Sequence, residues 1–495
     1  MAISKNLLGM VIWGIALWST TLFAQEQAGL STGNYAGTNG LFLNPASTAN
    51  YPLNWELNLM SVGAYFGNNY AYLEKADGSN LSGLQVLQNT DLIEVPTNGE
   101  QSNSPNAILL KFYRSEDRPK NAYLNLNVVG PSFLLRKEQH SFGIFTRARS
   151  ITSIQRIHPD LAYPDFDETP LGTDINVNTF KVANMNWAEI GVHYGLSTDN
   201  TSIGINARYL QGYDAIFFNN NKDIEFTESL TTLNFPEGDF TYGFATNYDV
   251  ETGEYKVQSN GKGAAFDIGF QYWAGGNDEM DYRIKVGVSL LDVGLIHFGQ
   301  NAQKHHLNTT DNFNFLYQEF SNIESEEELV ELVSTQALNE SSATYQQDNF
   351  NIWLPTAFSA QIDFQVINNL FLNAAIMRRI RLDGPMVERQ NSLSFSARLE
   401  TRWFELFVPL TYTQDAEGGI GLACRVGPLT VGTDRLHTLW ASEIASTSSL
   451  TSSDIYASLK IRPIAFNREK KNKKYHSNTK SSVDCPKFQK RKKLF

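Results

Sequence analysis

The chain has 495 residues, 42% of them hydrophobic, 19% charged and 12% aromatic. So few charges beside so many aromatics exclude a disordered chain, and a net charge of −12 excludes whole-protein attraction to nucleic acid. One apolar run is long, Leu7 to Trp18, and its twelve residues fall short of the roughly 20 that a membrane-spanning helix needs.

Lys5, that run and Leu22-Phe23-Ala24 follow the basic, apolar and small-residue order of a secretory signal peptide, which predicts residues 1–24 as signal and cleavage after Ala24. Gln25 stands where a lipoprotein would carry Cys, so no lipid anchor is expected. Residues 25–53 come next, Gly-rich from Gly29 onward, too irregular for a strand and too short for a domain. Asn44-Pro45 predicts a turn, because Pro fixes its own φ and pushes the preceding residue out of the helical region. From these residues alone the segment reads either as a linker or as a plug.

From residue 54 helical periodicity is nearly absent and segments of about ten residues alternate apolar with polar, as outer-membrane barrel strands do. Phe142, Ile144, Thr146 and Ala148 alternate with Gly143, Phe145, Arg147 and Arg149. Ile190, Val192 and Tyr194 alternate with Glu189, Gly191 and His193, and Phe266, Ile268 and Phe270 with Asp267, Gly269 and Gln271. A soluble sandwich alternates too, so the connections discriminate. Tight turns near 136–140, 197–201, 275–280, 367–369, 401–403 and 427–428 alternate with longer connections near 75–120, 154–186, 217–262, 298–351, 381–390, 414–417 and 437–452. With 54–74 taken as one strand this gives fourteen strands over 54–466, hence a closed antiparallel transmembrane barrel with both termini periplasmic. In the longest loop, Ser321 and Glu324 form a capping-box pattern ahead of Leu329, Leu332, Val333 and Ala337 at helical spacing, which predicts a helix.

The polar strand faces predict the lumen. They carry Glu56, Arg147 and Arg149, then Glu189, His193 and Arg208, then Asp267, Arg283 and Lys285. Asp363, Arg379, Arg398, Glu400, Arg425, Lys460 and Arg462 follow. Such charges either pair into a ladder that fills the barrel or line an aqueous path.

Residues 467–495 hold eleven Lys/Arg against Glu469 and Asp484, a net of +9, which together with Lys5 of the signal leaves −22 on 25–466. This basic tail reads as a disordered periplasmic extension, or as a handle for anionic headgroups or an acidic partner. Cys424, on an apolar face, and Cys485, in the tail, are not expected to pair. His305-His306 reads as solvated loop. No catalytic or phosphate-binding motif, paired zinc cysteines or other metal pattern occurs, so no enzyme activity, cofactor or metal is expected.

Several segments together resemble a domain-of-unknown-function family of Bacteroidota outer-membrane barrels, distantly similar to the long-chain fatty acid transporter type and to the barrel subunit of type IX secretion. They include Leu43-Asn44-Pro45-Ala46, Gly130-Pro131-Ser132-Phe133, Tyr209-Leu210-Gln211-Gly212-Tyr213, Leu354-Pro355-Thr356-Ala357 and Gly427-Pro428-Leu429-Thr430. The resemblance implies that 25–53 is a plug, with Asn44, Pro45 and Ala46 as gate. The expectation is a plugged outer-membrane channel of a Gram-negative bacterium, passing small hydrophobic compounds. The alternative is a non-transporting scaffold of a surface or secretion complex. Outer-membrane lipids are the expected surroundings, and a periplasmic or surface protein is the expected partner of the tail and long loops.

Overall fold

The computed structural model describes residues 27–463 apart from 80, 90–91, 95–103, 105, 113–118, 159–171, 173, 230, 250–253, 276–281, 317, 320–322, 324 and 440–450. The signal peptide, its cleavage point, the basic tail and Cys485 lie outside the described residues.

Fourteen strands close one antiparallel barrel. They are β1 (Trp55–Asn68), β2 (Lys120–Val129 with Ser132–Lys137), β3 (His140–Ile157), β4 (Lys181–Ser197), β5 (Thr201–Asn220), β6 (Gly261–Ala274) and β7 (Ile284–Phe298). Then come β8 (Phe350–Trp353 with Ala357–Ile367), β9 (Leu370–Arg379), β10 (Ser392–Glu400), β11 (Phe404–Thr413), β12 (Ala416–Ile420 with Leu422–Val426), β13 (Leu429–Thr433) and β14 (Ser452–Ile461). Each strand pairs with its successor, and β14 returns to β1 through Leu57 opposite Ile461. Closure leaves no ladder edge to hydrogen-bond in lipid. Side-chain parity is as the alternation predicts: Phe266, Ile268, Phe270 and Tyr272 are 42–47% exposed, whereas Asp267 and Gln271 between them are 2% and 7% exposed. The short turns lie at one end of the barrel and the long connections at the other. No helix among the described residues is long and apolar enough to cross a membrane.

The structure departs from the sequence reading in four places. The first strand stops at Asn68, whose Oδ1 accepts from the backbone N–H groups of Tyr70 and Ala71 at 2.9 and 2.6 Å, a local turn that redirects Ala71–Lys75 into a small outer sheet with Ile108–Phe112. β3, β4 and β5 run further than predicted, to Ile157, from Lys181 and to Asn220, because beyond the apolar band a strand need not alternate apolar with polar. The loop helix is Glu326–Leu338, and its cap is Ser325, whose Oγ accepts from Glu328 N at 3.1 Å; Ser321 and Glu324 fall outside the described residues. His305 is not solvated. It is 3% exposed in the outer strand Ala302–Thr309, stacked on Tyr242 at 5.2 Å.

The long connections fold over their end of the barrel. The strand Gly238–Ala245 continues the wall from β5 to Ala302–Thr309, and a four-stranded sheet packs with the loop helix through Ile175, Phe226, Phe315 and Val330. Beneath this roof the inward face turns apolar, with Met185, Trp187, Leu210, Phe217, Ile296 and Phe298 in one core. Toward the turn end the inward face is charged.

Candidate functional site

Residues 27–53 occupy the lumen. Ala28–Ser31 is a single helical turn, and Gly37–Phe42 and Pro45–Asn50 are 3-10 helices. Asn44 is extended at φ −155°, as a residue before Pro must be, and its Oδ1 caps the second 3-10 helix by accepting from Ala46 N at 3.0 Å. Its amide Nδ2 donates to Phe270 O on β6, Val288 O on β7 and Gln361 Oε1 on β8, at 3.2, 3.3 and 3.0 Å. The wall makes room for this element with glycine. Gly204 on β5 and Gly269 on β6 stand directly opposite each other in register, and a Cβ on either would strike Asn44, Pro45 or Ala46. Asn44, Pro45 and Ala46 are thus brought together against the wall. Beside them Thr48 Oγ1 meets His193 Nε2 at 2.5 Å, while His193 Nδ1 meets Asn206 Oδ1 at 2.8 Å.

Most inward charged side chains fall into two groups. A belt near the turn end grips the inner segment. Arg398 pairs with Asp363 at 2.9 Å and Glu400 at 2.7 Å, and donates to Thr32 O at 3.2 Å. Arg425 pairs with Glu405 at 3.0 Å. Lys460 and Arg462 both pair with Glu56 at 3.0 Å and donate to Ala36 O and Tyr35 O. Glu56 in turn accepts from Thr38 N at 2.9 Å and from the Tyr51 hydroxyl. Lys285 donates to Asn34 Oδ1 at 2.6 Å.

The second group lies at mid-barrel. Arg208 reaches Asp267 at 2.5 Å, Asp292 at 2.7 Å and Glu189 at 3.1 Å. Asp292 also accepts from Arg149 at 2.9 Å and from Arg389. It has φ +55° in a bulge where Asp267 Oδ1 takes its backbone N–H at 2.7 Å, a backbone region unusual for a non-glycine residue. Arg147 has the weakest carboxylate contact, 3.5 Å to Glu189, and lies 4.2 Å over the Phe42 ring. Four guanidiniums therefore meet three carboxylates in this cluster.

Between the inner segment and β2–β3 a cavity of about 70 Å³ remains, and since one water needs about 10–15 Å³ on this scale it has room for several. Leu30, Asn39 and Phe42 form its floor, Asn125, Arg147, Arg149 and Ile151 its wall, and Glu388, Arg389 and Gln390 its roof. The roof is the connection between β9 and β10, folded into the mouth. Val387 is fully buried, Glu388 N donates to Ser153 Oγ at 3.0 Å, Gln390 accepts from Tyr65, and Arg379 and Arg381 pair with Glu388 at 3.3 and 3.2 Å.

Of the predicted lumen residues, Arg147, Arg149, Glu189, Arg208, Asp267, Lys285, Asp363, Arg398, Glu400, Arg425, Glu56, Lys460 and Arg462 lie inward in one or other group, His193 lies inward beside Thr48, and Arg379 lies inward against Glu388. Arg283 does not. It precedes β7, is exposed, and lies 6.0 Å from the outward ring of Phe364, because the chain enters β7 with Tyr282 turned inward instead, donating to Asp363 and to Asn34. Sequence reasoning missed Asp292, Glu388, Arg389 and the buried pair Asp434 and Asp454, in which Asp434 N donates to Asp454 Oδ2 at 2.8 Å and Asp434 Oδ2 accepts from Ala28 N at 3.1 Å. Asp292 follows a run of apolar residues in Ser289-Leu290-Leu291-Asp292, where a lone acid marks a break in alternation; Glu388, Arg389 and Asp434 lie in connections, where alternation gives no signal, and Asp454 lies at the start of β14. Among the described residues no three His, Cys, Asp or Glu cluster as a metal site.

A family of unknown function, DUF5723, matches residues 45–434. The chain belongs to this family. No curated protein matches this DUF5723 chain. Among solved structures it is similar to a FadL homologue of Pseudomonas aeruginosa (10% identity, TM-score 0.38, covering 89% of this chain and 98% of that one). It is also similar to the toluene transporter TbuX of Ralstonia pickettii (9%, 0.38, 86% and 93%) and to the toluene transporter TodX of Pseudomonas putida (11%, 0.30, 89% and 99%). At these scores the fold of the DUF5723 barrel rests on its own strand pairing.

Proposed function

We propose that this DUF5723 protein is a plugged channel of the Gram-negative outer membrane, with both termini periplasmic, through which small compounds pass beside the inner segment. The observation that carries the reading is the lumen itself: residues 27–53 are held on one side by the charged belt, while the other side keeps a cavity between Phe42 and Ile151, roofed by residues 387–390. Leu30, Phe42, Leu43 and Ile151 give that cavity apolar surface for a hydrophobic solute body. Asn44, Pro45 and Ala46 act as the gate, since they seat the segment against the glycines of β5 and β6. Deleting residues 26–50 is expected to leave a heat-modifiable barrel in the outer-membrane fraction that leaks small hydrophilic dyes. Unchanged leakage at normal protein level would refute the gate.

One observation favours a scaffold as the second reading. Buried ion pairs and an apolar core lie in the lumen beside the inner segment, as they would in a barrel that only holds a surface or secretion complex. Truncation after Phe466 separates the two. A scaffold that uses its basic tail loses a salt-sensitive partner in pull-downs, because exposed charges are screened over about 8 Å at physiological ionic strength, and a channel keeps its solute flux.

A further inference from the structure

On the outer surface of the barrel, strands β5 to β8 change character in a single step. Tyr209, Ala264, Leu295 and Trp353 stand side by side in register, one on each strand, on the outward parity. Two residues further toward the loop end the same strands carry Gln211, Lys262, His297 and Asn351, again side by side. Lys262, His297 and Asn351 are exposed and Gln211 is half-buried. Tyrosine and tryptophan at the edge of an outward apolar band form the girdle by which such barrels meet the headgroups. The length agrees: the ten residues from Tyr272 to Lys262 on β6, at about 3.3 Å each and a tilt of about 40°, span roughly 25 Å, the height of the apolar band of an outer-membrane barrel.

Charge sets this polar row apart. Residues 25–466 carry −22, yet the row holds two bases and no acid. Among the described residues Lys262 pairs with no carboxylate. The acids further out, Asp214 on β5 and Asp348 ahead of β8, accept from the hydroxyls of Tyr255 and Tyr345. Lys262 and His297 are direct cross-strand neighbours, which puts their Cβ atoms about 4.5–5.5 Å apart, close enough for both side chains to reach one phosphate. His297 Nδ1 meets Asn351 Oδ1 at 2.8 Å, which fixes the ring. Its Nε2 leans over Gly299, where a Cβ would lie 3.4 Å away, and so faces the loop end. The amides of Gln211 and Asn351 flank the two bases and carry N–H donors suited to sugar hydroxyls.

We propose that Lys262 and His297, flanked by Gln211 and Asn351, bind the phosphorylated sugar headgroup of a glycolipid in the outer leaflet, the bases on the phosphate and the amides on the sugar. Basic side chains just beyond an apolar band are where anionic headgroups add most to binding. The site rests on the outer-membrane part of the reading above and is independent of whether the lumen conducts.

The test is native mass spectrometry of the full chain in detergent with bisphosphorylated lipid A, and with the same lipid stripped of its phosphates, at fixed concentrations. A discrete one-lipid adduct, at least fivefold more abundant with the phosphorylated form, is expected. Lys262→Gln combined with His297→Gln should lower that adduct at least fivefold, to the level of the stripped lipid. Lys137→Gln, the same charge change at an exposed position of the turn end, should leave it unchanged. Should the double variant lose heat-modifiable migration, Lys262→Gln alone takes its place. Equal adducts with both lipids, an equal loss in Lys137→Gln, full displacement by equimolar inorganic phosphate, or equal retention of phosphatidylglycerol would each overturn the proposal. Fractionation of the chain away from the outer membrane would end the reading on which the site rests; residence in that membrane without the adduct would end the site alone.

Discussion

The two charged groups in the lumen use the same residue types to different ends. In the turn-end belt each cation pairs with a carboxylate or an amide, and Arg398, Lys460 and Arg462 also reach the inner segment's carbonyls. In the mid-barrel cluster the cations pair with carboxylates of the wall, and Arg147, Arg149 and Arg389 border a cavity. A guanidinium has five donors in a fixed fork, so what lies beyond its carboxylate decides its role. Where it meets backbone it clasps; where it meets empty space it leaves a cavity.

The largest expected effect breaks the belt. Arg398→Ala strands Asp363 and Glu400, which are 3% and 2% exposed, and removing one partner of a buried pair costs about 3–5 kcal/mol. Urea unfolding of the purified barrel, followed by loss of heat-modifiable migration, measures it. An effect below about 1 kcal/mol would show that water or rearranged neighbours replace the clasp, and the comparison with the mid-barrel cluster would collapse.

Next comes the seat of the segment. Gly204→Val or Gly269→Val drives side-chain atoms into Asn44 and Pro45, and overpacking of this kind costs about 1–3 kcal/mol. The strands pair through their backbones, so the barrel is expected to close while the segment shifts and a small dye leaks in faster. Gly418→Ala, at an exposed position with no close neighbour, is the control. Equal leakage in all three variants would mean that the segment does not depend on the glycine row.

What the sequence disclosed follows from this division. Period-two alternation marks a side chain as inward or outward, so fourteen strands, the closed barrel and nearly every lumen charge were legible. Arg283 was misplaced because parity does not hold ahead of a strand's first residue, and just before β7 it is Tyr282 that turns inward. Alternation gives no information on which inward charges meet one another. Arg208 with Asp267 is a pairing across 59 residues and Arg462 with Glu56 one across 406, each set by register and closure. The roof was invisible because Val387, Glu388 and Gln390 lie in a connection without periodicity, and connections are expected on the surface. The apolar upper lumen was missed for a related reason: Phe217 and Phe298 lie in strand ends that the alternation did not distinguish from loop.

A smaller effect sharpens the contrast from the cavity side. Arg147→Gln gives up one long ion pair, the hydrogen bond to Asn127 Oδ1 and the contact over Phe42, while Glu189 keeps Arg208, so the loss of stability is expected to be about 1–2 kcal/mol, below that of Arg398→Ala in the same urea assay. A loss as large as that at Arg398 would place Arg147 among the clasping residues.

The smallest effect concerns the roof. Arg381 is about half exposed and pairs with Glu388 at 3.2 Å, while Arg379, mostly buried, holds the same carboxylate at 3.3 Å. Exposed ion pairs contribute about 0–1 kcal/mol, and Glu388 remains paired when Arg381 is lost. Arg381→Ala is therefore expected to leave global stability within about 0.5 kcal/mol of the parent. Hydrogen exchange resolved over residues 384–391 is the sensitive measurement, because local opening can change where global unfolding does not. Faster exchange there with unchanged unfolding would show that the roof lifts as a unit over the cavity. Unchanged exchange would mean that the contacts of Val387, Gln390 and Arg389 hold it alone, and would make the roof part of the wall and not its lid.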